Sequence, residues 1–407
     1  MSSLFKASPE LGPRAVSVSN TGTQAAIGWI MVDMDGDTSR FYAKFAEPLG
    51  NLAKGGHLID SARNLVYSEV PATIDDPPVL TVRDLDNLTL RQSLKLPEHI
   101  AGRSALSSDG NTMYASSDSG VMILPVGNLN SAPRVEASVE DLVFRGNFCD
   151  RNAATQSFII RDPGGAKVPF SVTSSNSGVR VSPSSGTTPA VIKVTIDPNA
   201  FSAQVGTVAV DLTITSSTGV SIIKPVRVLV NSHEPDQRGT FINIPGTLVD
   251  VAADPSKDQY YVLRQDTNQV LVFDGSNNTQ KATLRTCNQP RSMAITFDRR
   301  YLLVGCELAQ IMSVFDLETL QPSAPILTYN ANVLSVAVSS RAILASVHEE
   351  LDSTYSIHAI DLTGRADAKL PTLGVWGEQS HQEHGARGRA QRSVHRDRLL
   401  RWQRAPL

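Results

Sequence analysis

One phrase keeps returning in this chain: an alternating apolar strand, then Asp-Leu, then a polar turn. It stands at 79–88 as VLTVRDLDNL, at 311–320 as IMSVFDLETL and at 355–364 as YSIHAIDLTG, with a looser copy, QVLVFDG, at 269–275. Alternation puts one set of side chains on each face of a strand, and Asp with small polar residues ends the strand in a tight turn. The spacing is nearly constant. Asn64 and Asn111 lie 47 residues apart, as do Tyr67 and Tyr114, and Asp274, Asp316 and Asp361 stand 42 and 45 apart. Each unit reads strand, Gly/Asp/Asn turn, strand, loop, alternating strand, turn, strand, which is the size and content of a four-stranded propeller blade. Helical HEAT or armadillo repeats share that period, but the β-branched alternation and frequent turn residues argue against helices. The expectation is an all-β chain whose main body is a six- or seven-bladed β-propeller.

The regularity lapses between about 136 and 245. Strand patterns there include Gln156–Ile160, Val168–Val172, Ala190–Ile196, Gly206–Ile214 and Ser221–Val230, about seven strands in some ninety residues, as in an immunoglobulin-like β-sandwich. The paired cysteines and tryptophan of antibody domains are absent, so packing alone must hold it. The expected organisation is a first propeller part over 14–140, the inserted sandwich over 141–232, a return linker at His233–Gly239 and a second propeller part over 240–376. An insert whose ends leave and rejoin one surface position costs the host little. The 377–407 segment carries seven arginines and no strand pattern. It reads as a disordered or frameshifted extension rather than as a contact for nucleic acid or acidic lipid. If the pattern truly stops after Trp376, a blade or a closing strand is missing and the propeller is truncated, with exposed strand edges.

Charge excludes one class of partner. Lysine and arginine number 37 against 40 acidic residues, a net charge of -3, so no nucleic acid is expected on the folded part. No segment is apolar enough to span a membrane, and the start, MSSLFKASPELG, lacks the apolar run of a signal peptide; taken literally, that places the chain in the cytoplasm. Of the cysteines, Cys287 and Cys306 can meet on neighbouring strands of adjacent repeats, but two separate buried thiols are the simpler expectation, and Cys149 is left over.

Chemistry is hard to place. There is no G-x-S-x-G elbow, HExxH or His-x-His, and His57, His99, His233, His348 and His358 are scattered over the strands. His348-Glu349-Glu350, followed by Asp352, is an acidic-histidine cluster that reads as a solvated loop before it reads as a metal site. His358 alternates within its strand and reads as a satisfied buried or edge histidine. Asp33–Asp37 lacks the order of a calcium loop and reads as an Asp-Gly hairpin turn. Asp84, Asp274, Asp316 and Asp361 recur at blade period, so they read as strand-to-turn joints whose carboxylates accept backbone N–H groups. No catalytic residue is assigned, and neither a cofactor nor a metal is expected.

Two resemblances add to this. The turn Ser107–Asn111 followed by Thr112-Met113-Tyr114, with the strands ending at Asp84, Asp316 and Asp361, resembles YVTN/lactonase-like and WD40-like bacterial propellers. The insert is similar to BACON-type immunoglobulin-like modules through VSPSSG at 181–186, TIDP at 195–198 and the run from Ala203 to Ile214. The first resemblance implies the architecture and is poor for activity. The second implies an exported bacterial protein and a module that binds carbohydrate or mucin, or acts as a spacer. Two functions compete: a non-catalytic scaffold binding protein or carbohydrate, and a lactonase-like hydrolase or oxidoreductase. The second requires histidines and acids converging at one mouth of a central channel.

Overall fold

A computed structural model describes residues 16–371, apart from 36–39, 46–53, 72, 74, 130–132, 147–152, 205, 217–222, 233–240 and 350–352. The expected linker at 233–239, the 377–407 tail, Cys149, Glu350, Asp352 and the turn at Gly36-Asp37 lie outside the described residues.

The described chain is all-β, made of small sheets that are antiparallel except for one strand pair. The first sheet is β1 (Val16–Val18), β2 (Gln24–Ile27), β3 (Ile30–Asp33) and β4 (Arg40–Lys44). The second is β5 (Gly56–Asp60), β6 (Leu65–Glu69), β7 (Val79–Asp84) and β8 (Leu90–Lys95). The third has three strands, β9 (Ile100–Leu106), β10 (Met113–Ser117) and β11 (Gly120–Leu124).

Two sheets then pack on one core. One runs β12 (Glu136–Ala137), β14 (Ala154–Arg161), β18 (Ala190–Ile196), β16 (Val179–Ser182) in spatial order. The other runs β13 (Asp141–Gly146), β20 (Val226–Ser232), β19 (Gly206–Thr215), β15 (Pro169–Ser174), β17 (Ser185–Thr187), with β13 and β20 parallel. Burial alternates residue by residue along β14, β18 and β19, so each sheet has one wet face and one dry face. The dry faces meet through Phe144, Phe158, Ile160, Phe170, Ile192 and Leu212. This unit starts at β12, ahead of residue 141.

Meander sheets then resume. The fourth is β21 (Leu248–Asp254), β22 (Gln259–Arg264), β23 (Gln269–Asp274) and β24 (Gln280–Arg285). The fifth is β25 (Pro290–Ile295), β26 (Tyr301–Cys306), β27 (Ile311–Asp316) and β28 (Gln321–Leu327). The sixth is β29 (Ala331–Val338), β30 (Ile343–Glu349), β31 (Thr354–Asp361) and β32 (Ala366–Lys369).

First strands neighbour one another from sheet to sheet: β1 lies beside β5 and β5 beside β9, while β21 lies beside β25 and β25 beside β29. The second strands tell the same story through burial. Val66 to Glu69, Tyr261 to Arg264 and Leu302 to Cys306 are buried without alternation, which requires a neighbour on each face of the sheet. Close approach is built in at Gly305, where a Cβ would come within 2.3 Å of Val333 on the sixth sheet.

Sheets one to three meet sheets four to six through the turn after β7. Asn87 donates to Thr286 O (3.0 Å), and Asn268 donates to Asn87 O (3.0 Å) and Thr89 Oγ1 (3.1 Å). Asn288 reaches Lys44 O at 2.7 Å, and Arg285 pairs with Asp84 and Asp86 at 2.8 Å each. The two-sheet unit is held to the fourth sheet by Arg264, which pairs with Glu140 at 2.5 Å and Asp266 at 2.8 Å.

The expectation for the cysteines is overturned. Cys287 and Cys306 are not separate thiols but a disulfide, with Cα atoms 6.0 Å apart. Cys306 ends β26, and Cys287 lies in the loop between β24 and β25. Pro290 lies opposite Cys306 in the β25–β26 ladder, so the loop leading into β25 returns Cys287 to the end of β26. The separation suits a disulfide.

Candidate functional site

The four recurring aspartates divide three to one. Oδ1 of Asp274, Asp316 and Asp361 accepts the N–H two residues on, from Ser276, Glu318 and Thr363, each at 2.9 Å. The residue four after the aspartate adopts the left-handed conformation in every copy: Leu88 (φ 55°), Asn278 (60°), Leu320 (57°) and Arg365 (54°). Leucine is a costly choice there; at Leu88 the side chain is buried in the contact between the first two sheets, which offsets the strain. Asp84 works differently. It is buried and takes Arg91 Nε (2.7 Å) and Arg285 (2.8 Å). Burial alone would raise its pKa, but the two guanidinium groups outweigh it and hold the carboxyl below its ordinary value. Asp84 thereby joins the two sets of sheets.

Of the acidic-histidine cluster, expected as a solvated loop, the described residues His348 and Glu349 lie instead within strand β30 of the sixth sheet. His348 and Glu349 are adjacent in β30, so their side chains leave opposite faces: His348 packs against the ring of Tyr355 (centroids 5.1 Å apart), while Glu349 is buried. The register sets Val347 opposite Ser356 and Ala345 opposite His358, which brings Glu349, Ser356 and His358 to one face. His358, expected to be a satisfied buried or edge histidine, is 5% exposed and bonded through both ring nitrogens. Its Nδ1 meets Asp367, and its Nε2 lies 3.0 Å from Ser356 Oγ. Ser356 in turn donates to Glu349, whose Oε1 also carries Lys369 Nζ at 2.6 Å.

A Ser–His–Asp line invites comparison with a nucleophilic triad, and proton directions decide the matter. In such a triad the serine O–H points at the imidazole, which removes the proton as attack begins. Here the Ser356 hydroxyl donates to the Glu349 carboxylate instead of to the imidazole, and Ser356, Glu349 and His358 are all buried. Tyr329 N closes the other end on Asp367 Oδ1 at 3.3 Å.

A second dyad gave no signal in the sequence. Glu69 ends β6, and His99 immediately precedes β9; Nδ1 and Oε1 are 2.6 Å apart, and Oε2 takes Ile100 N at 2.5 Å. Burial raises the Glu69 pKa, only partly offset by the bonds from Ile100 and His99. Beside it, Glu98 accepts from Ser117 and Ser119, and Lys54 pairs with Asp118 at 2.8 Å. Thirty residues separate Glu69 from His99, so no spacing rule could have coupled them. Of the other sequence histidines, His57 is buried, its Nδ1 2.8 Å from Ser17 Oγ, and His233 is not described. Among the described residues, no group of three or more His, Cys, Asp or Glu is arranged to hold a metal ion. No helix among them is long and apolar enough to cross a membrane, which leaves β-barrel spans unaddressed.

No family model matches the chain, and no curated protein matches its sequence. Solved structures with similarity include the dihydro-heme d1 dehydrogenase NirN in complex with DHE, at 16% identity, covering 90% of this chain and 66% of that one with a TM-score of 0.27. Another is a Bacteroides ovatus GH5 xyloglucanase in complex with a XXXG heptasaccharide, at 15% identity, covering 24% of this chain and 19% of that one with a TM-score of 0.19. The chain thus spans less than two thirds of either. At these TM-scores neither similarity carries an argument.

Proposed function

We propose that the six meander sheets are blades of a β-propeller of the YVTN/lactonase-like kind and that the two-sheet unit is a BACON-type immunoglobulin-like insert. On this reading the protein is a non-catalytic scaffold that binds protein or carbohydrate. The side-by-side first strands and doubly buried second strands support the blades. The two sheets sharing one core support the insert. The Cys287–Cys306 disulfide suits an oxidising compartment and supports the exported reading over the cytoplasmic one.

One observation carries the non-catalytic part: in the line of groups most like a catalytic triad, the Ser356 hydroxyl is donated to Glu349 rather than to His358, and all three side chains are buried. The test is turnover of a panel of lactones and p-nitrophenyl esters by the full chain. The expected result is no hydrolysis above buffer. Hydrolysis that disappears in His358→Ala or His99→Ala would overturn the proposal in favour of the hydrolase reading.

A further inference from the structure

The third sheet stops one strand short. Each of the other meander sheets ends on a fourth strand, but here β11 is the outer strand, paired with β10 on one side and with no described strand on the other. The chain beyond it takes another course. Pro125 follows β11 directly; in the short turn Val126–Asn128, Gly127 N donates to Asn111 O (2.8 Å), just ahead of β10, and Val126 is buried in the core shared with the second sheet. The link to the two-sheet unit therefore leaves over the end of β10 and not beside β11. Register fixes what the open edge presents. Ser117 and Gly120 close the β10–β11 hairpin, and bonded positions alternate from there. Gly120, Met122 and Leu124 thus bond to β10, while Val121 and Ile123 turn their N–H and C=O groups to the open side. The side chains of Val121 and Ile123 are 66% and 67% exposed, and Tyr114, opposite Ile123 in the ladder, is exposed on the same face. Met122, on the other face, is buried.

Open strand edges invite pairing with another chain, and charges or prolines on the edge prevent it. The outer strands of the other meander sheets are guarded in this way: β4, β8, β24 and β32 each carry lysine or arginine, and β28 carries two prolines. β11 is Gly-Val-Met-Ile-Leu, with neither. The same strand selects its occupant, because it is complementary to itself. Antiparallel pairing about a two-fold axis at Met122 sets Val121 of one copy opposite the partner's Ile123, each with its backbone groups turned to the other. Residues directly opposed share a face, so Tyr114, Ile123 and the partner's Val121 line up in one apolar row, and the axis repeats the row. Like charges would repel across that axis, and neither β11 nor β10, Met-Tyr-Ala-Ser-Ser, carries any. We propose that β11 is a dimerisation edge, pairing antiparallel with β11 of a second copy of this chain into one continuous sheet. The proposal goes beyond the scaffold reading and does not depend on which ligand a scaffold would hold.

Sedimentation equilibrium of the full chain tests this. A ladder this short buries less than the roughly 1,200 Å² of a standard interface, so a range from about 1 to about 300 μM should show a monomer–dimer equilibrium that dissociates on dilution. Val121→Lys/Ile123→Lys sets lysines opposite each other across the axis and should weaken the dimer about tenfold or more. Val121→Glu/Ile123→Glu should weaken it alike, and an equimolar mixture of the two variants should dimerise again. Both positions are exposed, so the circular dichroism and melting of the variants should match the parent's. Val251→Lys, equally exposed on β21, should associate as the parent does. A chain that stays monomeric over the whole range, growth beyond the dimer, or a dimer that Val121→Lys/Ile123→Lys leaves intact overturns the proposal. So does a mixture of the lysine and glutamate variants that fails to dimerise, because the two strands then do not meet in this register.

Discussion

The second and fourth sheets are built on one frame and close it differently. Asp60 pairs in the ladder with Leu65 and Asp254 with Gln259; Leu65 and Gln259 in turn oppose Asp84 and Asp274. Tyr67 and Tyr261 sit two residues into the second strand, each fully buried. Even the left-handed residue four places after the aspartate is kept, as Asn64 (φ 56°) and Asp258 (φ 48°). What changes is the partner. Arg63 saturates Asp60 from within the corner and also reaches Gly110 O and Asn111 in the next sheet, at 2.8 Å each. Asp254 instead receives its arginine from the next sheet and keeps one oxygen idle among the described residues. The difference teaches that the repeat preserves backbone geometry and burial, while side-chain pairing drifts.

The largest expected effect separates the two sets of sheets. The Cys287–Cys306 link closes a loop with a sequence separation of 19, and sheets one to three have no counterpart among the described residues. Replacing both cysteines by serine should cost about 3 kcal/mol, the chain-entropy value for a loop of that length. Hydrogen exchange would locate the loss: faster exchange in β25 and β26 is expected, with β5 to β7 unchanged. Equal acceleration in both sets would show that they unfold as one unit and that the contrast between them is not energetic.

A smaller effect tests the corners themselves. Asp60→Asn removes a charge-assisted bond at each oxygen and should cost about 2 kcal/mol in urea unfolding, the Arg63 partner being partly exposed. Asp254→Asn should cost about 1 kcal/mol, because an asparagine oxygen can still accept from Ser256 and its NH2 takes the place of an oxygen that accepts nothing. If Asp254→Asn proves the costlier of the two, the idle oxygen has a partner and the comparison of the corners fails.

The sequence made some of this legible. Alternation and the recurrent aspartates marked strands and turns, because both depend on local backbone geometry that a period of two or a turn residue reports directly. It also marked His358 as a satisfied buried or edge histidine, and it is buried. The partners could not be read. Glu69 and His99, Glu349 and Ser356, and Cys287 and Cys306 meet only once strands are registered or sheets are stacked, and local spacing does not encode that step. The idle oxygen of Asp254 was further out of reach. Asp60-Ser-Ala-Arg63-Asn64 and Asp254-Pro-Ser-Lys257-Asp258 look like the same turn, and two exchanges, arginine for lysine and asparagine for aspartate, hint that their electrostatics differ.

The subtlest prediction uses two carboxylates that burial treats alike and partners do not. Asp84 has its pKa lowered, since Arg91 and Arg285 overcome burial; Glu69 has its pKa raised, since burial overcomes Ile100 and His99. The signs of their contributions to stability are therefore opposite. The Asp84 contribution is present above its unfolded pKa of 3.8 and is lost as pH falls through the lower folded value. The Glu69 contribution is present below its unfolded pKa of 4.5 and is lost as pH rises through the higher folded value. Urea midpoints measured between pH about 2 and about 7 should show Asp84→Asn flattening the acid limb and Glu69→Gln flattening the limb above it. The Asp84 effect should also shrink in Arg285→Ala, because that arginine belongs to the other set of sheets and loses its purchase if the two sets separate. An acid limb that Arg285→Ala leaves untouched would mean that Arg91 alone holds the Asp84 carboxylate, and that the turn after β7 joins the two sets through its asparagine bonds rather than through charge.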